Sequence, residues 1–180
     1  MRVYIPSDHF QTRKLIQQLL QDNEPAYIRV GRNAVEDIYQ TGNVPFVLNQ
    51  AVQLTEGTDL TLIACGEMVI AAKKAADQLA EKGISARVLD MYCIKPLDEE
   101  AVRKAARETK AIITIEEHTK YGGLGSMVSQ LVMAEHPLKV INMALPDAPV
   151  VTGKSQQVFD HYGLNAEGIV KTAMELIADV

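Results

Sequence analysis

The chain has 180 residues, of which 47% are hydrophobic and 23% charged, with a formal net charge of -5. This length buries one substantial core and leaves a small piece over, and the composition is that of a soluble globular protein, with no apolar run long enough to span a bilayer, so a membrane protein is excluded. The lysines and arginines form no basic stripe interleaved with aromatics, which argues against nucleic acid as a partner.

The opening MRVYIPSDHF lacks a basic stretch followed by an apolar run and a small-residue cleavage site, so the cytoplasm is the expected compartment. Its first segment reads strand, helix, strand, over residues 2–5, 8–21 and 26–30. Asp8 with Gln11 three residues on suggests a capping box, and Leu15, Ile16, Leu19 and Leu20 form one apolar stripe at helical spacing. Such a unit joins two parallel strands by a crossover, yet two strands and a helix bury too little to stand alone. It reads as a fragment of a sheet whose other strands lie upstream or in another chain.

Between residues 33 and 57 the pattern is irregular. Gly42, Asn43 and Pro45 mark turns, and the β-like runs 46–48 and 51–54 suggest a linker with a hairpin. An α/β rhythm follows. The run 60–64 is continuously apolar, as in a strand buried on both faces. Met68, Ala72, Ala75, Ala76 and Leu79 repeat at helical spacing, and 85–91 resumes as a strand. KPLDEEAVRKAARE reads as a helix capped by Asp98, 111–115 as a buried strand, and Leu124, Val128, Leu131 and Val132 as the stripe of the next helix. A strand over 138–143 and a closing helix with Ile169, Ala173, Leu176 and Ile177 on one face complete the series. Strands alternating with helices predict an α/β, three-layer domain with a mainly parallel sheet.

Candidate chemistry is sparse. Cys65 and Cys93 sit in the apolar segments LIACG and DMYCI and read as reduced core residues. His9, His118, His136 and His161 stand singly, without the paired spacing of zinc sites, so no metal site is expected. The pointed local feature is the strand-to-helix turn EEHTKYGGLGS. Its glycines permit unusual backbone angles, and the amides of Gly125 and Ser126 offer a helix N-terminus to an anion. Gly123, Gly125 and Val128 fail the dinucleotide-binding spacing at its third position, and the alternative is a tight turn, with Gly122 and Gly123, packed against another domain. His118 beside Glu116 and Glu117 fits a general base with an orienting carboxylate, or a polar strand end within an interface. Arg29 and Arg32 in YIRVGRNAV suit phosphate binding or a surface ion pair.

The order VYIPSDHFQTRKLIQQLL, PAYIRVGR, DLTLIACGEMVIAAKKAADQLAEKGISARVLDMYCIKPLDEEAV, TIEEHTKYGGLGSMV and HYGLNAEGIVKTAMEL resembles the last third of transketolases. It is especially similar to the C-terminal subunit of split bacterial and archaeal forms, and the likeness covers essentially the whole chain. Two of the blocks, ISARVLDMYCIKPLDEE and EEHTKYGGLGS, are shared with 1-deoxyxylulose-5-phosphate synthases and β chains of 2-oxoacid decarboxylases.

The resemblance implies that residues 1–35 are the partial βαβ end of a pyrimidine-binding domain, 36–57 a linker and hairpin, and 58–180 the transketolase C-terminal domain. It implies a dimeric enzyme of pentose phosphate metabolism that moves a two-carbon ketol unit between sugar phosphates with thiamine diphosphate and magnesium. The family's cofactor-activating glutamate, its GDG motif and most substrate histidines lie outside this sequence, so an N-terminal partner part is implied, and the chain alone is expected to be inactive and to hold no cofactor tightly. No catalytic residue carries over. Arg32 aligns with the family's sugar-phosphate arginine, and the synthases carry a related RYPRG pattern there. A 1-deoxyxylulose-5-phosphate synthase part is the enzymatic alternative. From another class, the alternative is a non-catalytic α/β module for oligomerisation or anion binding.

Overall fold

The computed structural model describes residues 1–32 and 34–178. Within them, eight strands and six helices follow one another as β1 (Arg2–Tyr4), α1 (His9–Leu19), β2 (Ala26–Ile28), β3 (Val52–Thr55), β4 (Leu60–Ala64), α2 (Met68–Glu81), β5 (Ala86–Asp90), β6 (Cys93–Lys95), α3 (Glu99–Glu108), β7 (Ala111–Thr119), α4 (Leu124–Glu135), β8 (Lys139–Leu145), α5 (Ser155–His161) and α6 (Ala166–Ala178).

The larger sheet has the order β3-β5-β4-β7-β8, parallel throughout except for antiparallel β3 at one edge. Its central strands are apolar on both faces because helices cover both. Leu60, Leu62 and Ala64 of β4 with Ile113 and Ile115 of β7 pack against Ala72, Ala76 and Leu79 of α2 and Ile169, Ala173 and Leu176 of α6. The alternate residues Ile63, Leu89 and Ile112 face Val102 and Ala105 of α3 and Leu124 and Val128 of α4. The three-layer α/β expectation holds.

The smaller sheet is β2-β1-β6. β1 and β2 pair in parallel, as a crossover unit requires. Its third strand comes from within the chain: β6 pairs antiparallel with β1, Tyr4 opposite Cys93. Only Met91 and Tyr92, both fully buried, separate β5 of one sheet from β6 of the other. The expected hairpin does not form. Residues 46–48 are not a strand, and β3 pairs with β5. Phe46 and Leu48 are apolar because they pack into the second core, with the Phe46 ring 4.8 Å from Tyr92. Both β6 and α5 lie outside the elements predicted from the sequence.

The α1 capping box forms by half. Asp8 Oδ1 accepts from Gln11 N at 2.8 Å, but the fully buried Gln11 side chain turns away from the cap. Its Oε1 accepts from Ser7 N, and its Nε2 donates to Asp90 Oδ2 at 2.8 Å.

Candidate functional site

In an open α/β sheet the ligand crevice lies at the carboxyl ends of the strands where the order reverses. Here α2 carries the chain from β4 to β5 on one side, while β7 lies on the other, so the reversal falls between β4 and β7. The N-terminal segment fills that place. Gly66 N, just beyond β4, donates to Ile5 O at 3.1 Å, and Ile5 N donates to Tyr92 O at 2.7 Å. Arg29 Nη2 reaches Glu117 Oε2 on β7 at 2.6 Å. The generic ligand position of the domain is thus occupied by the segment that precedes it.

Beside it, Asp90 closes β5 and is wholly buried. Its Oδ2 accepts from Ser7 Oγ, Gln11 Nε2 and Tyr39 OH, each at 2.8 Å, while Oδ1 has no partner among the described residues. Burial pushes this carboxyl up to about 6, against the three hydrogen bonds that favour its charged form. Asp8 extends the network: its Oδ2 accepts from Ile38 N at 3.0 Å and Tyr39 N at 2.9 Å. These side chains tie α1, residues 38–39 and β5 together, and nothing in the sequence beyond the Asp8–Gln11 pair pointed to the network.

The turn 116–126 has a different use from an open anion site. Glu116 is 3% exposed, and its carboxylate accepts from Leu124 N at 2.9 Å and Gly125 N at 2.8 Å. The positive end of α4 is therefore neutralised from within, and the Gly125 amide is already engaged. Gly123 must lack a side chain because a Cβ there would overlap the Glu116 carboxylate. Gly122 has φ +74°, its amide donates to Ser126 Oγ, and that hydroxyl donates to Lys120 O. Glu117 is taken by Arg29. His118 is exposed, and no hydrogen bond joins it to Glu116 among the described residues. The base-and-carboxylate couple considered for His118 is not assembled, because Glu116 serves as a helix cap.

Arg32 is exposed at the rim of a cavity of about 1020 Å³ bounded by residues 34–36, the start of α2, and α5 with α6. Its lining mixes Arg32, Lys74 and Lys154 with Glu36, Glu67 and Asp160, and Lys74 is paired with Glu36. A second cavity of about 610 Å³ lies on the other side of the same segment, between Val30–Gly31 and the turn Pro6–His9 at the carboxyl ends of β1 and β2. Glu67 borders both. No group of three or more His, Cys, Asp or Glu side chains among the described residues is placed to hold a metal ion. Cys65 and Cys93 are buried and free, as expected of core thiols.

Residues 49–169 match the family model for the transketolase C-terminal domain. The chain is 52% identical over 177 residues to one subunit of the apulose-4-phosphate transketolase of Phocaeicola vulgatus, covering 98% of this chain and 56% of that protein. It is 33% identical over 181 residues to the 1-deoxy-D-xylulose-5-phosphate synthase of Pelotomaculum thermopropionicum, covering 99% of this chain and 28% of that one. Among solved structures, a split-gene transketolase described as an inactive beta4 tetramer superposes with a TM-score of 0.88 at 35% identity, over 99% of this chain and 57% of the other. The chain thus spans little more than half of these transketolase relatives and under a third of the synthase. From its fold, its glycine turn and these matches, the chain belongs to the transketolase C-terminal domain family.

Proposed function

We propose that this chain is the C-terminal part of a transketolase that transfers a two-carbon ketol unit between sugar phosphates, and that Arg32 binds the substrate phosphate. The observation that carries the reading is the unit β1–α1–β2. It runs out into an exposed arginine beside a family C-terminal domain, on a small sheet whose outer strand β2 has no second neighbour among the described residues. Residues 1–35 are then the end of a pyrimidine-binding domain, and the connection that follows ends before β3, which pairs with β5 and so belongs to the C-terminal domain, inside the family match from residue 49. The rest of the first domain comes from an N-terminal part or subunit.

The complete enzyme would take thiamine diphosphate, which stabilises the carbanion, with its magnesium ion. The described residues do not fit that group by themselves: they offer no acidic cluster for the metal, and Glu116 already takes the Leu124 and Gly125 amides at the start of α4. Calorimetry of this chain alone with thiamine diphosphate and magnesium is expected to show no micromolar binding. We read the turn 116–126 as an interface, with Tyr121 exposed on it, and the chain as a self-associating cytoplasmic protein of carbohydrate metabolism. The beta4 tetramer of the split-gene relative supports association.

The test uses the complete enzyme with its N-terminal part. Apulose 4-phosphate is the first donor to assay, after the named relative. Arg32→Ala weakens phosphorylated substrates roughly ten- to a hundredfold, the worth of a charge-assisted hydrogen bond, and spares glycolaldehyde. Arg32→Lys recovers part of the loss. Equal losses on both substrates would make Arg32 structural. Turnover of pyruvate with glyceraldehyde 3-phosphate would instead favour the synthase reading, which the 33% identity to a synthase supports.

A further inference from the structure

Two carboxylates of the C-terminal domain touch the segment that carries Arg32, and neither performs the local task its position suggests. Glu67 occupies the N-cap of α2 but makes no cap hydrogen bond with its side chain. Its carboxylate instead lies against Gly31, where any Cβ would overlap it. Gly66, at φ +56°, makes the turn that places Glu67 there, and its amide is fixed to Ile5 O. Glu117 extends from β7 to the Arg29 guanidinium, with the Arg29 and Glu117 side chains only 39% and 24% exposed. Burial alone would lower the Arg29 pKa, but the hydrogen bond and charge of Glu117 outweigh it and hold it above its ordinary value. Burial, then repulsion from Glu117, raises the Glu67 carboxyl.

The backbone after β2 is therefore hydrogen-bonded at one point and in contact with a carboxylate at a second. Arg29 is fixed by its amide, which donates to Tyr4 O at 2.9 Å, and by its side chain on Glu117. Gly31 is seated on Glu67. Arg32 follows at once, with its Cα one peptide step of about 3.8 Å beyond the second of these points. An exposed, long side chain on a loop has many rotamers, and fixing its root is the available way to restrict where the guanidinium reaches.

We propose that Glu117 and Glu67 are positioning residues through which the C-terminal domain sets the location of the Arg32 guanidinium, and so the fit of the substrate phosphate. This rests on the reading of Arg32 as the phosphate-binding residue. It gives the C-terminal domain a task at the substrate while its own strand-end crevice is filled.

The experiment is a set of variants in the complete enzyme, reading KM for a phosphorylated acceptor relative to glycolaldehyde. Glu117→Ala raises that ratio about tenfold, in the range that sub-ångström to ångström misplacement produces. Glu117→Gln, which keeps an acceptor for Arg29, recovers most of it. Glu67→Ala raises the ratio about threefold, since it removes a support but no hydrogen bond. Because Glu117 acts through Arg32, Glu117→Ala adds nothing to the ratio in an Arg32→Ala background. If Arg32→Ala itself leaves the ratio unchanged, the reading of Arg32 fails and the proposal with it. If Arg32→Ala raises the ratio but Glu117→Ala does not, or if the two effects add, the proposal alone is overturned. Equal losses on both acceptors with a lowered Tm would make the Arg29–Glu117 pair a domain brace and also overturn it.

Discussion

Asp90→Asn separates the buried carboxyl's charge from its shape. In the wild type the Asp90 pKa rises from 3.8 in the unfolded chain to about 6 in the fold, burial being the cause. The folded state then holds its proton more firmly than the unfolded one, so the associated stability is complete below about pH 4 and is lost as pH rises through 6. A displacement of about two pH units corresponds to about 3 kcal/mol. Asparagine keeps an oxygen for Ser7, Gln11 and Tyr39, but its amide faces the position of Oδ1, which has no partner among the described residues. The protonated wild-type carboxyl likewise carries its O–H on Oδ1, so the two proteins differ mainly once the wild type ionises. The variant therefore gains stability relative to the wild type as pH rises, by up to about 3 kcal/mol between about pH 4 and pH 7.5. Urea denaturation of both proteins across this range measures it. Parallel stability curves would show that Asp90 does not titrate in the fold as its burial requires.

Glu116→Ala leaves the buried amides of Leu124 and Gly125 without acceptors and destabilises the chain by about 2–4 kcal/mol in urea denaturation, whereas Glu116→Gln costs roughly 1 kcal/mol, the charge on the helix dipole. A loss below about half a kcal/mol for Glu116→Ala would refute its role as the α4 cap. Burial raises both thiols, Cys93 up to about 12, so neither reacts with a disulfide reagent at about pH 8 until denaturant is added, after which both react. Prompt labelling of the native chain would contradict the packing around β4 and β6.

The parts of the fold legible in the sequence were those with a long, single-minded pattern. Leu60–Ala64 and residues 111–115 are apolar almost throughout because helices lie on both faces, and α2 and α6 show their stripes for the same reason. Short elements were hidden. CIK has three residues and takes its strand character from β1, at the far end of the chain's first half, while SQQVFDH buries only Phe159. Residues 46–48 show the reverse error: apolar residues at strand spacing serve contact with Tyr92, without pairing. At the candidate site, an arginine beyond a strand was readable in VGRNAV. The duties of Glu67, Asp90 and Glu116 were not, because a carboxylate's partner is decided by the fold and here lies as far as 83 residues away in the sequence.

The two-residue passage from β5 to β6 bears on how the molecule moves. With Met91 and Tyr92 fully buried, Met91 N bonded to Ala64 O and Tyr92 O accepting from Ile5 N, there is no slack in which a hinge could open between the sheets. Domain closure of the hinge kind needs a few residues free to change φ and ψ, and this seam has none. The amides of Ile5 and Met91 are expected to exchange hydrogen only on global unfolding, so a push on β1 travels into the larger sheet as a rigid displacement.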